Sequence, residues 1–129
     1  MIENQKDVAA TKAARKAGEI HAPSWISIAG HIYLAGPDRS ELREKVYLAA
    51  RYICALCKKF CPAWDGNLEH IRSGRPMARC DCFGRRLADG TICTNVQWAH
   101  GMFSIHPCHR NKHNREIGGR RGTDDREAI

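Results

Sequence analysis

Four short runs in this chain carry residues that do chemistry: Cys54-Ala-Leu-Cys57, Glu69-His70, Asn95, and Cys108-His109 followed by His113. They occur in that order within sixty residues. Two thiolates separated by two residues can reach one tetrahedral ion. A carboxylate is a good donor to a hard divalent ion. A neutral imidazole is a good general base for water. Together the residue types describe a metal site with a spare histidine beside it, which is the equipment for a hydrolytic reaction on a phosphodiester.

Each run also has a plainer reading. Cys54 and Cys57 could be two packed thiols at a helix end. On a strand, Glu69 and His70 point to opposite faces, so one can bind a metal while the other approaches from elsewhere. An isolated Glu-His pair is more often a surface acid beside a half-buried histidine. His109 and His113 stand one turn apart on one helical face, but Arg110, Lys112 and Arg115 surround them as on a solvated basic helix. Asn95 could hold the base histidine, pin a loop through its amide, or cap a turn. The clustering of these runs favours the metal reading over the separate plain ones.

A tetrahedral zinc needs about two ligands beyond Cys54 and Cys57. Cys108 is the best third candidate, and the fourth is Cys93 or His106. Cys80-x-Cys82 with Cys93 could build a second small site. Cys61 reads as a packed thiol.

The elements that must position these groups are partly visible. Leu42, Val46, Ala49, Ala50 and Ile53 recur at helical spacing. The spacing predicts a helix to about Tyr52, started by Asp38 as cap with Glu41 reaching back. Asn67 to Ile71 reads as a short strand. Asp89-Gly90, flanked by Leu87 and Ile92, is a hairpin turn signal. Residues 108–117 fit a short helix ended by Gly118-Gly119. Residues 24–36 suggest a strand pair around Gly30. The expected organisation is an N-terminal arm over 1–36, partly helical or flexible, a domain over 37–117, and a disordered charged tail over 118–129.

Composition sets the wider bounds. The chain has 129 residues and three each of Trp, Tyr and Phe, enough for one modest core. A thin core of this kind often relies on a staple, and seven cysteines with seven histidines point to metal. The net charge is +7, and fourteen of the 21 basic residues are Arg. Arginine favours phosphate contacts, so nucleic acid, DNA first, is the expected partner. Arg72, Arg75, Arg79, Arg85, Arg86 and Arg110 are the candidate phosphate contacts. No stretch reaches membrane-spanning length, and no secretory h-region opens the chain. Thiols in C-x-x-C and C-x-C pairs then suggest a cytoplasmic location. A homodimer is compatible with all of this.

These residues resemble the HNH family of endonucleases, the ββα-metal fold, over about residues 42–117. In that family a Cys-x-x-Cys precedes a two-residue motif, commonly Asp-His or His-His. An Asn follows, and the motif closes with a Cys/His run on a short helix. The resemblance implies a small α+β domain, a ββα-metal unit of treble-clef-like form with a zinc knuckle. It implies a DNA endonuclease in which His70 is the general base and Asn95 orients it. Glu69, His109 and His113 would hold a catalytic Mg, Mn or Zn ion, with Cys54, Cys57 and Cys108 on a structural zinc. Small phage and prophage members are similar in size and Arg content. The alternative is a non-catalytic, zinc-stapled nucleic-acid-binding module. The chain departs from the pattern at Glu69, at Ile105 and in the long Asn95–Cys108 stretch. The 80–93 segment looks like an insertion.

Overall fold

The structure, a computed structural model, describes residues 5–72, 78–108 and 111–112. Among the described residues it is a small α+β assembly, with two α-helices and three two-stranded antiparallel ribbons as its named elements. The elements are α1 (Val8–Lys16), β1 (Trp25–Ile26), β2 (Ile32–Tyr33), α2 (Pro37–Ala49), β3 (Gly66–His70), β4 (Phe83–Arg86), β5 (Ile92–Thr94) and β6 (Val96–His100). Among the described residues no helix is long and apolar enough to cross a membrane.

The main core lies between α2 and the β3–β6 ribbon. Leu42 and Val46 of α2 meet Leu68, Val96, Trp98 and Ala99, with Cys54 and Cys61 beside them. Trp98 fills the centre, and its indole N–H donates to the Cys61 carbonyl at 2.9 Å. That satisfies the one polar atom a buried indole carries. Gly66 is required by this packing: a Cβ there would lie 2.2 Å from the Trp98 ring. Arg43 stacks its guanidinium on the same ring at 5.1 Å. It also donates to the carbonyls of Ala63 and Gly66, fixing the start of β3 to the helix.

The β3–β6 register pairs Gly66 with His100 and His70 with Val96. Residues 71–95 are therefore an excursion from this ribbon. They carry the β4–β5 hairpin, which turns at Asp89-Gly90 as the sequence suggests; Asp89 accepts from Thr91 N–H and Oγ1.

One expectation about the first half changes. Asp38 does not cap α2. Gly36 occupies the cap position without a side-chain hydrogen bond. Asp38 turns inward and accepts from the His21 amide at 2.6 Å and Ser24 Oγ at 2.7 Å, with His21 Nδ1 at 2.8 Å. Burial works against its charge, but these bonds win and hold its carboxyl below the usual range. Residues 5–36 include the helix α1 and pack on their own small core. Asp7 caps α1, and Ala14, Ile20 and Ile26 form a core of their own. Thr11 Oγ1 accepts from Ile26 N–H at 3.0 Å. The strand pair around Gly30 forms as β1–β2. The tail over 118–129 lies outside the described residues.

Candidate metal centres

The region after α2 is a tight knuckle. Arg51, Tyr52 and Lys58 take positive φ, and Ile53 bridges Phe60. The turn brings the Cys54 and Cys57 thiols to one side. Amide N–H groups of Leu56 and Cys57 point at Cys54 Sγ at 3.4 and 3.5 Å. Ala55 N–H donates to Trp98 O at 2.8 Å, locking the knuckle onto β6. Two residues further along that strand is His100, fully buried. Cys108 comes in from the next segment.

Cys54, Cys57, His100 and Cys108 thus form one group whose donor atoms all lie within 4.8 Å of one another. Cys54 and Cys108 sulfurs are 3.5 Å apart. His100 Nδ1 is 3.4 Å from Cys57 Sγ and 3.6 Å from Cys108 Sγ. With metal–sulfur bonds of about 2.3 Å and metal–nitrogen bonds of about 2.05 Å, tetrahedral edges are about 3.8 Å (S–S) and about 3.6 Å (S–N). The spacing fits one ion. A disulfide, with sulfurs about 2.05 Å apart, does not fit. The outer contacts agree. His100 Nε2 faces the Phe60 carbonyl at 3.1 Å, so the proton sits there and Nδ1 is left as a donor to metal. Burial raises the Cys54 thiol, but the amides of Cys57, His100 and Leu56 outweigh it and bring it down to about 6.

The fourth residue brought to Cys54, Cys57 and Cys108 is His100, where Cys93 or His106 was the expectation. His106 stacks on the His100 ring with centroids 4.2 Å apart, so it covers the donor ring and does not join the group. Cys93 belongs to a second group, with His31, Cys80 and Cys82. These two groups can each hold a metal ion such as zinc. Cys61 is in neither. It is a core thiol, and burial first, with nearby Cys54 and Asp65 adding, pushes it up to about 12.

The Glu69-His70 pair lies on β3 with its side chains on opposite faces. Glu69 is buried; it accepts from Gln97 Nε2 at 2.8 Å and from Lys112 Nζ at 2.7 Å. His70 is 14% exposed, with Nε2 2.8 Å from Asp81 Oδ1. Asp81 is a hub. It also takes Arg39 Nη1 at 2.8 Å and Leu34 N–H at 2.7 Å, while its own amide donates to Ile32 O. Burial raises its pKa, but His70, the Leu34 amide and the Arg39 charge prevail and hold the carboxyl below its usual range.

Asn95 makes no side-chain hydrogen bond to His70. It is fully buried, and its Nδ2 donates to Ala78 O at 2.9 Å and Cys80 O at 3.0 Å. Its Oδ1 accepts from Arg72 N–H at 2.8 Å. The amide therefore ties Arg72 to Ala78 and Cys80. His70 is oriented by Asp81 instead, a residue the sequence did not flag. Among the described residues no group of three metal donors forms around Glu69. His109 and His113, expected there, lie outside the described residues.

The arginines separate in the same way. Arg72 Nη2 points at Cys80 and Cys93 sulfurs, 3.4 Å from each. Arg85 Nε donates to Gly30 O at 2.7 Å, and Arg86 to Gly90 O at 3.0 Å. These three make their hydrogen bonds within the fold itself. Arg79 is exposed. Arg75 and Arg110 lie outside the described residues.

No family model, curated protein or solved structure matches the chain. What the groups can do follows from their own chemistry. Two Cys3His sets suit a tetrahedral ion, and an imidazole held by a carboxylate suits proton transfer.

Proposed function

We propose that this chain is a nucleic-acid phosphodiester hydrolase of HNH type, acting on DNA, with a zinc staple at Cys54, Cys57, His100 and Cys108. The observation that carries the reading is the His70–Asp81 hydrogen bond. With Nε2–H donating to a carboxylate, Nδ1 keeps its lone pair and can take a proton from water. Asp81 fixes the ring and stabilises the imidazolium that then forms, the role a carboxylate plays behind a catalytic histidine elsewhere.

Next to His70 in sequence and on the other face of β3, Glu69 fits a cation: its buried carboxylate already faces the Lys112 ammonium. Lys112 also lies 3.4 Å from the His70 carbonyl, so the segment after Cys108 reaches β3 at this point. His109 and His113 flank Lys112 in sequence and are the proposed partners of Glu69. A divalent ion held there would stabilise charge on the phosphoryl and leaving oxygens. The excess of Arg supports a polyanionic substrate.

The test is nicking of supercoiled plasmid by purified protein in magnesium or manganese. His70→Ala should cut about 100-fold or more slowly, the usual loss on removing a general base. EDTA should stop both, and zinc content of His70→Ala should equal wild type. Equal rates for wild type and His70→Ala would sink the reading. One observation favours the rival, a zinc-stapled nucleic-acid binder without catalysis: both Glu69 oxygens are already taken, by Gln97 and Lys112. Salt-dependent DNA binding with no nicking would select it.

A further inference from the structure

The group formed by His31, Cys80, Cys82 and Cys93 joins three segments that the backbone alone connects weakly. His31 comes from the β1–β2 turn. Cys80 and Cys82 come from the segment that leads into β4, and Cys93 from β5. All four donor atoms lie within 4.8 Å of one another. Cys80 and Cys93 sulfurs are 3.8 Å apart, and His31 Nδ1 is 3.7 Å from Cys82 Sγ. These match the tetrahedral edges of about 3.8 and about 3.6 Å derived from metal–ligand bond lengths. The three thiols are 6% exposed or less.

Charge supports an ion here. Three thiolates and a neutral imidazole around a divalent ion leave a net charge of −1. Arg72 supplies the compensating +1, its Nη2 at 3.4 Å from two of the sulfurs. A guanidinium turned toward neutral thiols would give up water for weak acceptors; toward metal thiolates it makes charge-assisted bonds. The apolar cluster around these sulfurs is small: Tyr33 with Trp25, Ile32 and Leu87 at its edge. It gives little burial to hold the segments without a staple.

Asp81 lies between two of these donors in sequence. Its backbone is held to Ile32, the residue after His31, and its carboxylate reaches Leu34, Arg39 and His70. We propose that His31, Cys80, Cys82 and Cys93 hold a second tetrahedral zinc, and that this ion fixes Asp81 as the positioning residue for His70. The zinc assignment stands apart from the hydrolytic reading; the catalytic meaning of Asp81 rests on it.

The test uses the full chain purified in the presence of zinc, with zinc counted per protein by mass spectrometry. Wild type should hold two ions. His31→Ala and Cys93→Ala should each hold one, as should Cys57→Ala at the other group. One ion in wild type, kept in His31→Ala, overturns the site. Because a Cys variant can fail to fold, cobalt replacement of wild type gives a second readout. Tetrahedral thiolate–cobalt bands should grow over two equivalents, and saturation at one overturns the site. The positioning role is read on His70 by nitrogen NMR of labelled histidine. Wild type with two zincs should show one tautomer, protonated at Nε2. Asp81→Ala should keep both zincs and lose that signature, and His31→Ala should lose one zinc and the signature together. An unchanged His70 signature in either variant overturns the positioning role. None of these readouts needs cleavage, so they separate this proposal from the nuclease reading.

Discussion

Replacing Asn95 by Ala should cost far more than a turn asparagine would. The side chain makes three hydrogen bonds, to Arg72 N–H, Ala78 O and Cys80 O. Each intramolecular bond is worth about 1 kcal/mol net. Cys80 is 1% exposed, so its carbonyl cannot turn to water, and an unmet buried acceptor costs about 1–3 kcal/mol by itself. The Arg72 and Ala78 groups are less buried and recover hydration. The expected loss is about 3–5 kcal/mol, a large part of the stability of a domain this size. The assay is urea unfolding followed by tryptophan fluorescence, at fixed free zinc so that metal binding shifts both proteins alike. Trp98 at the core centre makes the signal report the β3–β6 ribbon. Asn95→Asp is the sharper companion. It keeps the acceptor for Arg72 but sets a carboxylate against two carbonyls, so it should be at least as damaging as Ala. A loss under about 1 kcal/mol for both would refute the accounting and return Asn95 to an ordinary turn position.

Two further predictions use the same assay. Gly66→Ala should destabilise by about 3 kcal/mol or more, since its Cβ would stand 2.2 Å from a ring with nowhere to go. Gly101→Ala, whose nearest atom is a movable Asn67 amide at 3.1 Å, should cost under about 1 kcal/mol; equal losses would refute the steric account. Lys112→Met leaves the buried Glu69 carboxylate without its cation and should cost about 3 kcal/mol, most of it regained in Glu69→Gln with Lys112→Met. Simple additivity of the two substitutions would show that the pair is not coupled.

The parts of this fold that sequence made legible are those whose cause is local. Leu42 and Val46 announce the α2 face because a helix repeats every 3.6 residues, and Asp89-Gly90 announces its turn because backbone conformation demands it. Cys54 and Cys57 read as a pair for the same reason. The knuckle and Cys108 do come together, but His100 lies outside any cysteine motif. One signal for it was present: Val96, Trp98 and His100 alternate on one strand face, so a histidine extends a core stripe toward the cysteines. His31 had no such signal. It meets Cys80, Cys82 and Cys93 only through tertiary folding of distant segments. Asp38 misled because a cap and a long-range anchor look alike in sequence. The partners that decide it, His21 and Ser24, lie 17 and 14 residues away. Asp81 was overlooked because an acid between two cysteines has no motif, and its meaning lies in the four segments it joins.

The pairing of His70 with Val96 has a consequence for how such a chain could be altered. The polypeptide leaves the ribbon at one position and re-enters at the position directly opposite. Residues 71–95 thus start and finish about 5 Å apart, a gap that a two-residue turn closes. Geometrically the excursion is a cassette, removable without disturbing a rung of the ribbon. Chemically it is not, because it carries Asp81, three of the four donors of one cluster, and the asparagine that shuts its own loop. A shortened chain should keep the knuckle and the Trp98 core yet lose whatever depends on a fixed His70, which makes the graft point a natural place to divide the scaffold from the proposed site.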